Sequence, residues 1–352
     1  MEKLLASTEK EWPRIAVVGA GAVGCYFGGM LARAGAPVTL IGRAQHIESI
    51  RRDGLFIDSV HFKEHVSVSA STELAAARDA ELVLFAVKTV DTEDTAKLLA
   101  PYLAPDTNVV SLQNGVDNAE RMDFAAGIQA ISAVVYIAAE MSGPGQVKHS
   151  GRGDLVIGNP ALNPGASESE LAEIAELFTR SGVPCRVSQN IALELWTKLI
   201  MNCAYNALSA LSRARYGRLI ADAGSVDVMK QVVAEGVAVG HSCGVDLSAD
   251  VLVAAVLELG RVVPQALSST AQDIARGKLT EIDSLNGFVV RRGAEMGVPT
   301  PVNQTLHSLV KLLEQTPSAA AGANAVGEIK TVDRRPSARV ASTAIYCECW
   351  RD

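Results

Sequence analysis

The stretch Arg14-Ile15-Ala16-Val17-Val18-Gly19-Ala20-Gly21-Ala22-Val23-Gly24 decides the fold. Ile15–Val18 is apolar end to end, as a strand buried on both faces should be. Glycines follow in the spacing G-x-G-x-x-G, and the next residues read as a helix. In that strand–turn–helix setting each glycine has a physical task. Gly19 permits the sharp turn, Gly21 lets the backbone come close to a pyrophosphate, and Gly24 lets the helix pack closely on the strand. With Ala20, Ala22 and Val23 they begin a helix whose free N–H groups and positive dipole end suit phosphate. The run Ile15–Ala32 carries no charge and just meets the length of a membrane-spanning helix. Its interruption by glycines at 19, 21, 24, 28 and 29 favours the strand–turn–helix reading instead.

Outward from this turn, the alternation continues. β-rich runs recur at Val38–Ile41, Leu82–Val87, Val109–Leu112, Ile131–Ile137, Leu155–Ile157 and Cys185–Val187, with helical patterns such as Asp91–Leu103 and Glu168–Ser181 between them. This predicts an α/β domain, a parallel sheet with helices on its faces. After Asn190 strand-like runs nearly vanish, and helical patterns follow at about 190–212, 224–243, 249–263, 279–297 and 303–315. The expected division is an extension 1–13, a dinucleotide-binding domain 14–188, an all-α domain 189–316 and a tail 317–352. A length of 352 residues fits two domains, at about 150 residues each.

Composition narrows the function. Apolar residues make up 48% and charged residues 20%, enough for a core without disulfides or metals. The formal charge of −7 and the absence of a basic block argue against a nucleic-acid partner. Cys25, Cys185, Cys203, Cys243, Cys347 and Cys349 are too few and too scattered for a disulfide scaffold, and no metal site is expected. The charged N-terminus has no apolar h-region, so a cytoplasmic setting without a membrane partner is expected.

The second strand chooses among dinucleotides. NAD sites usually place Asp or Glu at its end, whereas an Arg there favours the 2′-phosphate of NADP. Here VTLI runs into Gly42-Arg43, with no acid between Ala36 and Ile47. Arg43 can clamp a phosphate bidentately, so NADPH is predicted. Lys88 follows LVLFAV, and Asn114 follows VVSLQ in Gln113-Asn114-Gly115. Both lie at carboxyl ends of expected parallel strands, where open α/β sheets bind ligands.

In the helical half, ALELWTKLIMNCAYNALSAL carries Lys198, Asn202 and Asn206 at intervals of four, along one helix face. Two of the three are amides, and nothing else from Leu199 to Ser212 is charged. A solvated stripe would be richer in Glu, Lys and Arg, so a lined cleft is the better reading. An ammonium there can bind a carbonyl oxygen and give it a proton, while amides hold a carboxylate and a hydroxyl. Further on stand Ser268-Ser269-Thr270-Ala271-Gln272-Asp273-Ile274 and Thr280-Glu281-Ile282-Asp283-Ser284-Leu285-Asn286-Gly287, where Thr280 could cap a helix.

With these residues in place, the chain resembles the ketopantoate reductase (2-dehydropantoate 2-reductase) family over roughly residues 14–315. GAGAVG, Lys88, QNG, K-x-x-x-N-x-x-x-N and SS-x-x-Q-D-I…T-E-I-D-x-x-N-G stand in family order. The resemblance implies a Rossmann-type doubly wound α/β domain followed by an all-α domain similar to the C-terminal domain of 6-phosphogluconate dehydrogenase. It implies NADPH-dependent reduction of ketopantoate to (R)-pantoate, on the route to pantothenate and coenzyme A, in a cleft between the domains. By the same resemblance Lys198 is the general acid, and Asn202, Asn206 and Ser269 hold substrate. Glu281 assists substrate binding and orientation, and Asn114 lies near nicotinamide and substrate. Ser269 is chosen over Ser268 by its offset from Glu281. A homodimer is compatible with this reading.

Two alternatives stand beside it: a paralogous NADP-dependent reductase of another 2-oxo acid, and a non-catalytic NADP-sensing protein. Three other features are set aside. Arg152-Gly153-Asp154 is expected to form a turn, His149 to be a loop residue, and His241-Ser242-Cys243 to lack further metal ligands.

Overall fold

The computed structural model describes residues 11–160 and 165–315. Most of the expected N-terminal extension lies outside the described residues, as does the whole tail with Cys347 and Cys349. The strands are β1 (Ile15–Val18), β2 (Val38–Ile41), β3 (Leu55–Ser59), β4 (Lys63–Val66), β5 (Ser69–Ser71), β6 (Leu82–Phe85), β7 (Asn108–Ser111), β8 (Ile131–Gly143), β9 (Gln146–Gly158) and β10 (Cys185–Val187). The helices among them are α1 (Ala22–Arg33), α2 (Ala44–Asp53), α3 (Thr92–Leu99), α4 (Asn118–Ala126) and α5 (Glu168–Arg180). Then come α6 (Ile191–Ser212), α7 (Tyr216–Ile220), α8 (Ala223–Ser242), α9 (Ala249–Val262), α10 (Ser269–Ala275), α11 (Asn286–Met296) and α12 (Pro301–Gln315). Both halves pack into one unit that ends at Gln315.

All strands join one sheet in the order β4-β3-β9-β8-β7-β6-β1-β2-β5, with β10 on β9. The stretch from β8 through β7, β6, β1 and β2 to β5 is parallel, as the apolar runs predict. The whole sheet is mixed, which corrects the expectation of a parallel one: β8 and β9 form a long antiparallel hairpin, and β3 pairs antiparallel with β4. The unforeseen β3–β4 pair explains part of the difference, whereas the equally unforeseen β5 pairs parallel with β2. Two other expectations fail on this hairpin. His149 and Arg152-Gly153-Asp154 lie within β9, not in a loop or turn. The pairing shifts between Ile137 and Ala138, opposite Gly151 to Gly153, and Arg152 takes a positive φ of 43° in that bulge. His149 is buried between Ser59 Oγ, the Arg152 carbonyl and the Tyr26 ring, so a strand interior holds it.

The second half is helical throughout the described residues. Its centre is α6, whose apolar side buries Trp196, Leu199, Ile200, Cys203 and Tyr205. Burial of Leu199 or Ile200 contributes about 1.5–3 kcal/mol each. Asn190 caps α6, its side chain accepting from Leu193 N at 3.1 Å. The expected helix 279–297 begins later, with α11 at Asn286, because residues 279–285 are committed elsewhere. Thr280 binds Glu314, and Glu281 turns back toward the sheet. No described helix is long and apolar enough to cross a membrane.

Candidate active site

Four strand ends converge on one side of the sheet. β1 ends in the glycine turn, where Gly19 has φ +112° and sits against the Ala86 carbonyl just past β6. A Cβ on Gly19 would lie 2.6 Å from Ala86 C, and one on Gly24 would lie 2.1 Å from Gly19 O. Both distances are far inside van der Waals contact, so these two glycines let the turn and helix close on the sheet. Gly21 differs. A Cβ there meets nothing within 4 Å, and its backbone is extended, so the space above it is open to a ligand. No acid occupies the first turn of α1 to oppose an anion. These features fit a dinucleotide pyrophosphate. Gly21→Val should therefore keep the melting temperature nearly unchanged while weakening binding of a reduced nicotinamide dinucleotide about tenfold or more, measured by fluorescence titration.

Arg43 stands just beyond β2 at the start of α2, exposed, and its guanidinium has no ion-pair or hydrogen-bond partner among the described residues. Gly42 touches Ala20, so Arg43 flanks the glycine turn directly. Lys88 follows β6 and reaches across to the helical half, donating to Leu279 O at 2.9 Å and to Asp273 Oδ2 at 3.3 Å. Burial holds the Asp273 carboxyl above its ordinary range, and Lys88 counters that rise.

Asn114, beyond β7, bridges two side chains of the helical half. Its Nδ2 donates to Glu281 Oε2 at 3.0 Å, and its Oδ1 accepts from Lys198 Nζ at 3.1 Å. Lys198 also donates to the Val135 carbonyl of β8. An ammonium has three hydrogens. Two are committed here, and the third has no acceptor among the described residues. Burial lowers the Lys198 pKa to about 8; Glu281 opposes the drop and Arg152 adds to it. The amine therefore remains mostly protonated at neutral pH yet gives up its proton far more readily than an ordinary lysine.

Farther along the same face of α6, the Asn202 and Asn206 side chains have no hydrogen-bond partner among the described residues. Asn202 is half-buried and Asn206 buried. The start of α10 packs beside them. Ser268 is committed as its cap, accepting from Ala271 N at 3.1 Å and donating to Asn206 O at 3.3 Å. Ser269 is exposed, and its hydroxyl has no partner among the described residues. A separate groove of about 560 Å³, lined by residues including Trp12, Arg14, Glu81 and Arg180, lies at the opposite, amino-terminal edge of β1 and β6, away from these groups.

The ketopantoate reductase PanE/ApbA family model matches residues 15–161, and its C-terminal counterpart matches residues 190–314. The 2-dehydropantoate 2-reductase of Pyrococcus horikoshii is 34% identical over 86% of this chain and 97% of its own length. That of Halobacterium salinarum is 32% identical over 86% and 99%. The chain belongs to the ketopantoate reductase family. A crystal structure of a PanE/ApbA family ketopantoate reductase from Ralstonia eutropha JMP134 is 48% identical, with a TM-score of 0.79 over 86% of this chain and 98% of that one. A D-mandelate dehydrogenase with NADH and anilino(oxo)acetate is 26% identical, with a TM-score of 0.80 over the same shares. Ketopantoate reductases are oxidoreductases that act on a ketone with a nicotinamide dinucleotide.

Within this ketopantoate reductase fold, some participants carry no sequence signal. The Val135 carbonyl is a backbone group that any residue would supply. Thr89, which contacts both Asn114 and Glu281, is one threonine in a turn after a strand. Arg152 reads as part of a turn, yet it lies over the Tyr136 ring at 4.2 Å, and the Lys198 amine lies 5.8 Å from that ring.

Proposed function

We propose that this chain reduces 2-dehydropantoate (ketopantoate) to (R)-pantoate with NADPH, as a step toward pantothenate and coenzyme A. The observation that carries the proposal is the Lys198 amine, held by Asn114 and Val135 O with one N–H uncommitted. Nicotinamide, when bound along the glycine turn by residues 19–24, Arg43, Lys88 and Asn114, supplies the hydride. The chain's own residues bind, orient and protonate. Lys198 directs its third N–H at the ketone oxygen, stabilises the negative charge that grows there, and passes the proton over, leaving a neutral amine. The free amides of Asn202 and Asn206 and the Ser269 hydroxyl hold the substrate's carboxylate and hydroxyl. Glu281 acts through Asn114, fixing which end of that amide faces the amine.

NADPH is favoured over NADH by the unpaired Arg43 and by the lack of an acid at the end of β2. A cytoplasmic setting belongs to the same proposal, supported by the free thiols of Cys25, Cys185, Cys203 and Cys243. A second reading keeps the chemistry and changes the acid. Likeness to a D-mandelate dehydrogenase favours a bulkier 2-oxo acid as an alternative. A panel of 2-oxo acids assayed by NADPH and NADH oxidation separates the two. Ketopantoate with NADPH should give the highest kcat/KM, and a bulkier acid leading by tenfold or more would select the second reading.

A further inference from the structure

We propose that Thr89 is a positioning residue: its hydroxyl fixes the Glu281 carboxylate and, through it, the Asn114–Lys198 pair. The inference rests on the reductase reading above and adds a residue to its machinery. Thr89 is fully buried at the head of a short turn of 3₁₀ helix, Thr89–Asp91. Its Oγ1 lies 3.0 Å from the Asn114 carbonyl and 3.3 Å from Glu281 Oε1, and its own N–H points at the same Oε1 at 3.4 Å. A hydroxyl has one hydrogen to give, so the two acceptors compete.

The neighbours decide the competition. Asn118 Nδ2 already donates to the Asn114 carbonyl at 2.7 Å. Both acceptors thus hold one donor besides the hydroxyl, and the charged carboxylate is the stronger of the two, which assigns the hydroxyl hydrogen to Glu281. Thr89 itself cannot drift. Its carbonyl accepts from Thr92 Oγ1 at 2.9 Å and from Arg121 Nη2 at 3.0 Å, and Arg121 is locked to Glu93 at 2.6 Å. Gln113 Nε2 donates to Thr92 Oγ1 at 2.7 Å and closes the layer. A rigid buried network under the sheet end therefore presents one O–H and one N–H to Oε1. The other oxygen, Oε2, is left for Asn114 Nδ2. With that end of the amide occupied, Oδ1 must face Lys198. Thr89 and Glu281 come from different halves of the molecule, so the contact also registers the helical half against the sheet.

Steady-state kinetics with ketopantoate and NADPH on Thr89→Val, Thr89→Ser, Glu281→Ala and the Thr89→Val/Glu281→Ala double variant test this. Thr89→Val keeps the shape and removes the hydroxyl. Its kcat/KM should fall about tenfold, mostly through KM for the keto acid, with NADPH affinity and melting temperature near wild type. Thr89→Ser should return kcat/KM to within about twofold, and in the Glu281→Ala background Thr89→Val should cost less than about twofold. Unchanged kinetics in Thr89→Val, a Ser variant as poor as Val, fully additive losses in the double variant, or a Val variant that does not fold would each overturn the assignment. If wild type oxidises NADPH with none of the 2-oxo acids, the reductase reading falls and takes this inference with it. If wild type is active and Thr89→Val equals it, the inference alone falls.

Discussion

Lys198→Ala should lower kcat for keto-acid reduction by about 10²–10⁴ while leaving NADPH affinity within about twofold. The size follows from the task. Charge develops on the ketone oxygen as hydride arrives, and an aligned donor in a site poor in water stabilises it far better than bulk water does. The amine is aligned by Asn114 Oδ1 and the Val135 carbonyl, groups that stay when the side chain is removed. Alanine therefore deletes the donor and leaves the cleft. It also leaves two acceptors without their shared cation, which adds a modest stability loss. Affinity for NADPH should hold because the glycine turn and Arg43 lie on other elements. Stopped-flow or steady-state NADPH oxidation measures the loss. A variant within tenfold of wild type would remove Lys198 from the proton transfer.

Arg43→Ala should weaken NADPH binding by about 10-fold to 100-fold and change NADH binding by less than about twofold. Arg43 follows β2 directly, flanks the glycine turn and has no competing carboxylate among the described residues. A phosphate on the adenine ribose is the group it can clamp in a planar, two-pronged fashion. The side chain is exposed, so the effect should be largest at low ionic strength and shrink as salt screens the pair. Titrations with both nucleotides at two salt concentrations separate this from a general loss of binding. Equal weakening of NADPH and NADH would show that Arg43 does not read the 2′-phosphate.

Much of this architecture was legible in the chain. IAVV and LVLF are buried on both faces in β1 and β6, so an uninterrupted apolar run sufficed to find them. The Lys198-Asn202-Asn206 stripe was readable because helical period alone places residues four apart on one face. What was missed has physical causes. β4 and β5 are short, polar and partly exposed (KEHV and SAS), without the alternation that marks a strand. Arg152-Gly153-Asp154 looks like a turn, but a bulge lets β9 carry it as strand. The expected helix Asp91–Leu103 is broken into 3₁₀, α and 3₁₀ pieces, with Pro101 in the last of them. Thr89 is the clearest limit: its partner Glu281 lies 192 residues away, a pairing that no local pattern encodes.

The pH dependence of kcat/KM for ketopantoate tests the central claim most directly. Lys198 must carry its proton to act as an acid, and its pKa is held at about 8 by burial. Activity should be level below that value and fall about tenfold per pH unit above it, and the residual rate of Lys198→Ala should lack this limb. A profile that stays level to pH values well above 8, or the same limb in Lys198→Ala, would contradict the account.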